Sequence, residues 1–233
     1  MDDKNRYSRQ IKLKELGEEG QRRLEKGSVL IVGTGGLGSV VATYLNGAGI
    51  GRLGLVDNDT VSVTNLHRQF LYTENERGKR KAECAAEFLS ARSGHTRLTP
   101  YSDALNEENA LKLIDEYDIV VDCTDNFQTR FLIDDTCRQL GKSWVHGAIG
   151  EFEGRVAVFT PECGPGFSDL YPEREYLCGL KRTEAGVMGP VPGVVGSIQA
   201  MEAIKLIAGM NGQLSGRLFT INLLTLETNL IDI

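Results

Sequence analysis

Residues 28–150 alternate short apolar runs with longer stretches whose apolar positions recur three and four apart. The runs SVLIVG (28–33), RLGLVD (52–57), TRLTPYS (96–102), DIVVDCT (118–124) and SWVHGAIG (143–150) read as strands. Between them, helices are predicted over 36–48, through GKRKAECAAEFLSARSG to a stop at Gly94, over NEENALKLIDEY, and over NFQTRFLIDDTCRQLG to its terminal glycine. A short amphipathic helix, LGEEGQRRLEKGS, leads into the first strand. Alternation of this kind predicts a mostly parallel sheet with helices on both faces.

The pattern changes at Glu151. GRVAVFT follows its predecessor so closely that the two predict an antiparallel hairpin. The next thirty or so residues, PECGPGFSDLYPEREYLCGLKRTEAGVMGPVPG, are rich in glycine and proline and read as one long loop. VVGSIQAMEAIKLIAG is then a helix, with Val194, Val195, Ile198, Met201, Ile204 and Ile207 as its expected core stripe. GRLFTINLLTLETNLID closes the chain as a strand pair. No linker or repeat interrupts the sequence. The expectation is one α/β domain over 1–233, with a nucleotide-binding part (28–150) and an antiparallel extension (151–233).

Composition adds little. The 233 residues are 41% hydrophobic and 25% charged, as in an ordinary globular protein. The net charge of −6 weighs mildly against a nucleic-acid partner. No apolar run approaches the ~18 residues that span a bilayer, so no membrane is expected. The polar start MDDKNRYSRQ lacks the apolar stretch of a signal peptide, which makes the cytoplasm the expected compartment. Cysteines 84, 123, 137, 163 and 178 form no C-x-x-C pair. Neither a disulfide framework nor a four-thiolate zinc site is expected.

Chemistry enters at the first turn. Gly33, Gly35 and Gly38 fit G-x-G-x-x-G, with Gly36 as an extra. Such a turn lets backbone N–H groups meet a phosphate at a helix N-terminus. Asp57 ends the next strand, where a carboxylate can accept ribose hydroxyls. This is a Rossmann-like outline, and no G-x-x-x-x-G-K-[ST] motif accompanies it. The glycines alone leave open which nucleotide is held.

Downstream residues narrow the choice. Asn65, Arg68 and Lys81 offer an amide, a guanidinium fork and an ammonium, together a clamp for a triphosphate. Taken singly, each also reads as a solvated surface group. Asp125 lies just past the very apolar strand DIVVDCT, with Asn126 beside it. It reads equally as a ligand for a hard cation such as Mg²⁺ or as a helix cap.

Six blocks, RYSRQI, GTGGLGS, LVDNDTVSVTNLHRQF, GKRKAE, DCTDN and EAGVMGPVPGVVGSIQAMEAIK, occur in the order seen in the MoeB/ThiF/HesA family. The chain resembles these bacterial relatives of ubiquitin-activating enzymes from about residue 6 to about 210. The resemblance implies ATP and Mg²⁺, and adenylation of the C-terminal glycine of a ubiquitin-fold sulfur carrier ending in Gly-Gly. It places Gly36 against the nucleotide, in the same turn as Gly33, Gly35 and Gly38, and Asp57 on its ribose. Asn65, Arg68 and Lys81 fall on the phosphates, and Asp125 on magnesium with Asn126 adjacent. Arg9 matches an arginine that reaches the neighbouring subunit's site, so a homodimer is implied. A crossover loop is implied at about 161–190.

Two features depart from that family. Its first zinc-binding C-x-x-C pair aligns with Gly166 and Asp169, so no zinc is expected. Arg182 and Thr183 stand where many members carry a reactive cysteine, which leaves Cys178 as the candidate thiol. Three other readings stay open: adenylation of another carboxylate or of a nucleoside, a non-catalytic ATP-binding relative, and an NAD(P)-dependent oxidoreductase. The last uses the glycine turn and leaves the cationic residues unexplained.

Overall fold

The computed structural model describes residues 6–161, 164–180 and 186–233. Eight strands form one sheet: β1 (Ser28–Val32), β2 (Arg52–Val56), β3 (Arg97–Tyr101), β4 (Ile119–Asp122), β5 (Ser143–Gly150), β6 (Glu153–Phe159), β7 (Arg217–Asn222) and β8 (Glu227–Asp232). Their order is β3-β2-β1-β4-β5-β6-β7-β8. The first five are parallel, and β6, β7 and β8 are added antiparallel. The expected fold class and the β5–β6 hairpin are what the chain adopts. β3 carries Pro100, which an edge strand tolerates.

Among the described residues the helices are α1 (Ser8–Ile11), α2 (Gly17–Lys26), α3 (Gly36–Ala48), α4 (Lys81–Arg92), α5 (Ala110–Asp115), α6 (Phe127–Leu140), α7 (Phe167–Leu170), α8 (Arg174–Gly179) and α9 (Pro190–Ala208). One core joins α2, α3, α4 and α9 to one face of the sheet, around Val29, Ile31, Leu45, Leu55 and Val195. A second, richer in aromatics, joins α5, α6 and α7 to the other face, around Leu30, Phe131, Trp144 and Phe167. Both faces of β1 and β4 are therefore apolar, which accounts for their unbroken hydrophobic runs.

Three expectations change. The stretch read as one loop contains α7 and α8, and α9 begins at Pro190 rather than Val194 because proline suits a helix's first turn. The expected core stripe of α9 holds only in part. Val195 is buried and Ile198, Ile204 and Ile207 pack half-buried against the same core, but Met201 is exposed and Val194 lies outside that core. The buried face also holds Gly196, Ala200 and Ala203, because α9 lies so close to α3 that a Cβ on Gly196 would stand 2.9 Å from the Leu37 carbonyl oxygen. Finally, α9 is long and apolar enough to cross a bilayer, although no such run was expected. Its packing against α3 and the sheet makes it a core helix.

Candidate nucleotide site

Strands β2, β1 and β4 end in register, with Val56 beside Val32 and Val32 beside Asp122. The chain beyond them therefore leaves one edge: the glycine turn from β1, Asp57 from β2, and the turn DCTDN from β4. This is where the strand order reverses, the place where open α/β sheets hold ligands. Asp57 and Cys123 flank Gly33 on either side, so they stand about 10 Å apart across two strand spacings.

Two of the glycines are required by the backbone. Gly33 has φ +92°, and a Cβ there would lie 2.7 Å from the Cys123 carbonyl oxygen. A Cβ on Gly38 would stand 1.9 Å from the Gly33 oxygen. Gly35 precedes α3, and Gly36 opens it. A Cβ on Gly36 would meet Pro192 of α9 at 3.1 Å and the Arg68 stem at 3.7 Å, so the turn, Arg68 and the start of α9 come together.

The half-buried Asp57 carboxylate is held from both sides. Its Oδ2 accepts the Thr34 N–H (2.8 Å) and hydroxyl (3.0 Å), and Oδ1 accepts the Asp59 N–H (2.9 Å). Four lone-pair sites leave room for ribose hydroxyls as well. Thr34 is fixed in turn by the Tyr72 hydroxyl, which donates toward its carbonyl (2.8 Å) and Oγ1 (2.7 Å). Burial pushes the Tyr72 phenol well above its ordinary pKa, so it remains a donor.

The cationic residues come from the segment between β2 and α4. A 3₁₀ turn, Val63–Asn65, carries half-buried Asn65, whose carbonyl accepts the Arg68 N–H (3.0 Å). Half-buried Arg68 bends back so that its Nη1 donates to the Thr64 carbonyl (3.2 Å). Lys81 is the first residue of α4, buried, with Nζ on Asp59 Oδ2 at 3.0 Å. Its ammonium is thus anchored on Asp59, two residues past Asp57, a neighbour the sequence reading did not single out.

On the β4 side, Asn126 rather than Asp125 is the cap of α6. Its side chain accepts the Thr129 N–H (2.8 Å) and caps α6, while Asp125 is exposed one residue earlier. Below them lies a buried polar cluster that sequence reading missed. Asp122 Oδ2 accepts His146 Nδ1–H (2.9 Å) and lies 3.5 Å from Arg130 Nε. Its Oδ1 accepts the Thr124 N–H (2.9 Å) and hydroxyl (2.6 Å). Burial opposes ionisation of Asp122, but the His146 hydrogen bond and the Arg130 charge outweigh it and hold the carboxyl below its ordinary value. Burial likewise keeps His146 below its usual range, against the pull of Asp122, so the imidazole is neutral.

One predicted residue lies apart from this edge, and another borders its β4 side. Arg9, exposed on α1, belongs to the opposite end of α3: Gln10 of the same short helix donates to the Ala48 carbonyl (2.9 Å), and Tyr7 packs on Gly49. The 13 residues of α3 put that end about 18 Å from Gly36. Cys178, on α8, is half-buried against the aromatic core, and its carbonyl accepts from Gln128 in the first turn of α6. Cys163, Arg182 and Thr183 lie outside the described residues.

A family model described as the ThiF family matches residues 7–233. The chain is a member of the ThiF family. It is 44% identical over 218 residues to a Culex quinquefasciatus protein named adenylyltransferase and sulfurtransferase MOCS3, covering 91% of this chain and 49% of that protein. A Thermus thermophilus sulfur carrier protein adenylyltransferase is 46% identical over 220 residues, covering 92% of this chain and 81% of the relative. A probable molybdopterin-synthase adenylyltransferase of Porphyra purpurea is 40% identical over 229 residues, covering 97% and 60%. The chain thus spans about half the length of the MOCS3 relatives it matches. Among solved structures, E. coli MccB with ATP superimposes with TM-score 0.86 at 24% identity, over 98% of this chain and 71% of MccB. PaaA does so with TM-score 0.86 at 22%, over 100% and 74%. Both share the fold of this ThiF-family chain.

Proposed function

We propose that this ThiF-family chain is an ATP-dependent adenylyltransferase, activating the C-terminal glycine carboxylate of a small ubiquitin-like sulfur carrier and releasing pyrophosphate. The observation that carries this reading is the convergence of five elements on one sheet edge. They are a glycine turn open to phosphates, a braced carboxylate for ribose, Arg68, Lys81 and an exposed Asp125. Relatives named as sulfur carrier and molybdopterin-synthase adenylyltransferases support it.

The residues fit ATP·Mg²⁺ by their chemistry. Gly33 and Gly38 let the turn bend and pack, Gly35 and Gly36 carry no side chain at the start of α3, and α3 adds its positive N-terminal end. Asn65, Arg68 and Lys81 supply donors and positive charge to the phosphates; the Asp59 partner aims the Lys81 ammonium and yields it to a stronger anion. Asp125, with Asn126 beside it, would hold Mg²⁺, a hard cation suited to carboxylate oxygen. When bound, the ion neutralises charge on the departing pyrophosphate.

The carrier carboxylate is already an anion at neutral pH, so its oxygen attacks the α-phosphorus without a general base. The bond to the β-phosphate bridging oxygen breaks, and pyrophosphate leaves with the electron pair. His146, neutral and committed to Asp122, takes no proton in this step. Arg68 and Lys81 stabilise the leaving charge, and positioning of the carrier tail supplies much of the remaining rate. In this reading the carrier tail ends in Gly-Gly, and two copies assemble with Arg9 of each serving the other's site.

ATP–pyrophosphate exchange with Mg²⁺ and a panel of ubiquitin-fold carriers ending in Gly-Gly tests the reading. Exchange that depends on one carrier, and drops at least ~100-fold in Asp125→Ala and Arg68→Ala, is expected. Absence of exchange with every carrier, alongside measurable ATP binding, overturns it.

A further inference from the structure

Beneath Asp125, side chains from four elements tie down Asp122 and Thr124 through hydrogen bonds. Asp122 ends β4, entirely buried, and its carboxylate holds both the N–H and the hydroxyl of Thr124. Arg130 of α6 donates from Nη2 to the Thr124 carbonyl (2.8 Å), so both backbone polar groups of Thr124 are gripped by side chains of opposite charge. His146 of β5 fixes the other carboxylate oxygen. Gln199 of α9 donates to the Asp122 carbonyl (2.6 Å), reaching it across Gly147, where a Cβ would lie within 2.4 Å of the Gln199 amide. Starting α6 does not require this cluster, because Asn126 caps that helix alone. An apolar end to β4 would also avoid the several kcal/mol that burying a carboxylate costs. What the cluster does is set the backbone of the residue immediately before Asp125.

We propose that Asp122 is a positioning residue, which with Thr124, Arg130, His146 and Gln199 holds the turn that presents Asp125 to the metal. The proposal rests on the reading that Asp125 binds Mg²⁺ with ATP. Groups that orient a metal ligand typically matter by 10–100-fold in metal affinity or activity.

The test uses the full chain and calorimetric titration with ATP, in saturating Mg²⁺ and in EDTA. The ratio of the two affinities reads the metal's contribution. Wild type is expected to bind more tightly with Mg²⁺, and Asp125→Ala to bring the ratio near one. Asp122→Asn and Thr124→Val are expected to lower the ratio roughly tenfold with EDTA affinity unchanged, and Thr124→Ser to restore it. Hydrogen exchange in the ligand-free protein should quicken at 123–126 in the same two variants. Should Asp122→Asn misfold, the Thr124 pair decides alone. Wild-type ratios in Asp122→Asn and Thr124→Val overturn the positioning role, as does an equal loss of ATP affinity with and without Mg²⁺. If Asp125→Ala itself keeps the wild-type ratio, the assignment of the metal to Asp125 fails instead, and the positioning role falls with it.

Discussion

His146 is the residue through which acid should first be felt. It is buried and neutral in the folded chain, with its pKa below the unfolded value near 6.5, and it leans on an Asp122 whose pKa is also lowered. In both cases the unfolded chain binds protons more readily than the folded one, so the stability they confer is complete at high pH and is lost as pH falls. The His146 contribution begins to fade below about pH 6.5, with a slope of at most about 1.4 kcal/mol per pH unit, and Asp122 adds its own loss only below about pH 3.9. Urea denaturation at pH 7.5, 6.0 and 5.0 should show wild type weakening over that interval and His146→Gln weakening less; parallel slopes would refute the assignment. Residues of this kind were invisible in the chain, because Asp122 meets His146 across 24 positions and Gln199 across 77. By contrast, Gly33, Gly38 and Asp57 were legible. Their spacing is fixed by one βαβ unit, and no distant partner is needed to interpret them.

At the scale of elements, α7 shows how a glycine- and proline-rich stretch can hide a docked piece of core. Its four residues are too few to display a period, yet Phe167 is fully buried, 5.1 Å from the Phe131 ring and 4.7 Å from that of Tyr171. Asp134 of α6 fastens the same turn, accepting the Phe167 and Ser168 N–H groups and the Ser168 hydroxyl. The two positions where the family resemblance places cysteines are hydrogen-bonded to each other, Gly166 N–H to Asp169 Oδ2 at 2.7 Å. An aromatic plug and a carboxylate therefore anchor this segment to the sheet. Phe167→Ala should cost about 3–5 kcal/mol in chemical denaturation, the range for deleting a buried aromatic. A loss below ~1 kcal/mol would mean that the plug contributes little. The long helices, unlike α7, announced themselves, since α3 and α6 each end at a glycine in the left-handed region, Gly49 and Gly141.

For the whole molecule, the position of Arg9 carries the strongest consequence. Its helix is tied to the far end of α3, about 18 Å from the glycine turn, a gap that one arginine side chain does not bridge. If Arg9 acts in the adenylation reaction, it acts on another copy. The half-buried flank of α9, with Val194, Ile198 and exposed Met201, offers apolar surface beyond what one chain covers. In a two-fold assembly, Arg9→Ala alone and Asp125→Ala alone should each abolish exchange. Mixing the two after reversible dissociation creates heterodimers with one site that keeps both residues and one that lacks both. Random assortment at equal concentration then restores about a quarter of wild-type sites. Recovery to that level, rising with time of subunit exchange, is the expected result. No recovery despite demonstrated heterodimers would place Arg9 in its own chain's service or outside the reaction altogether.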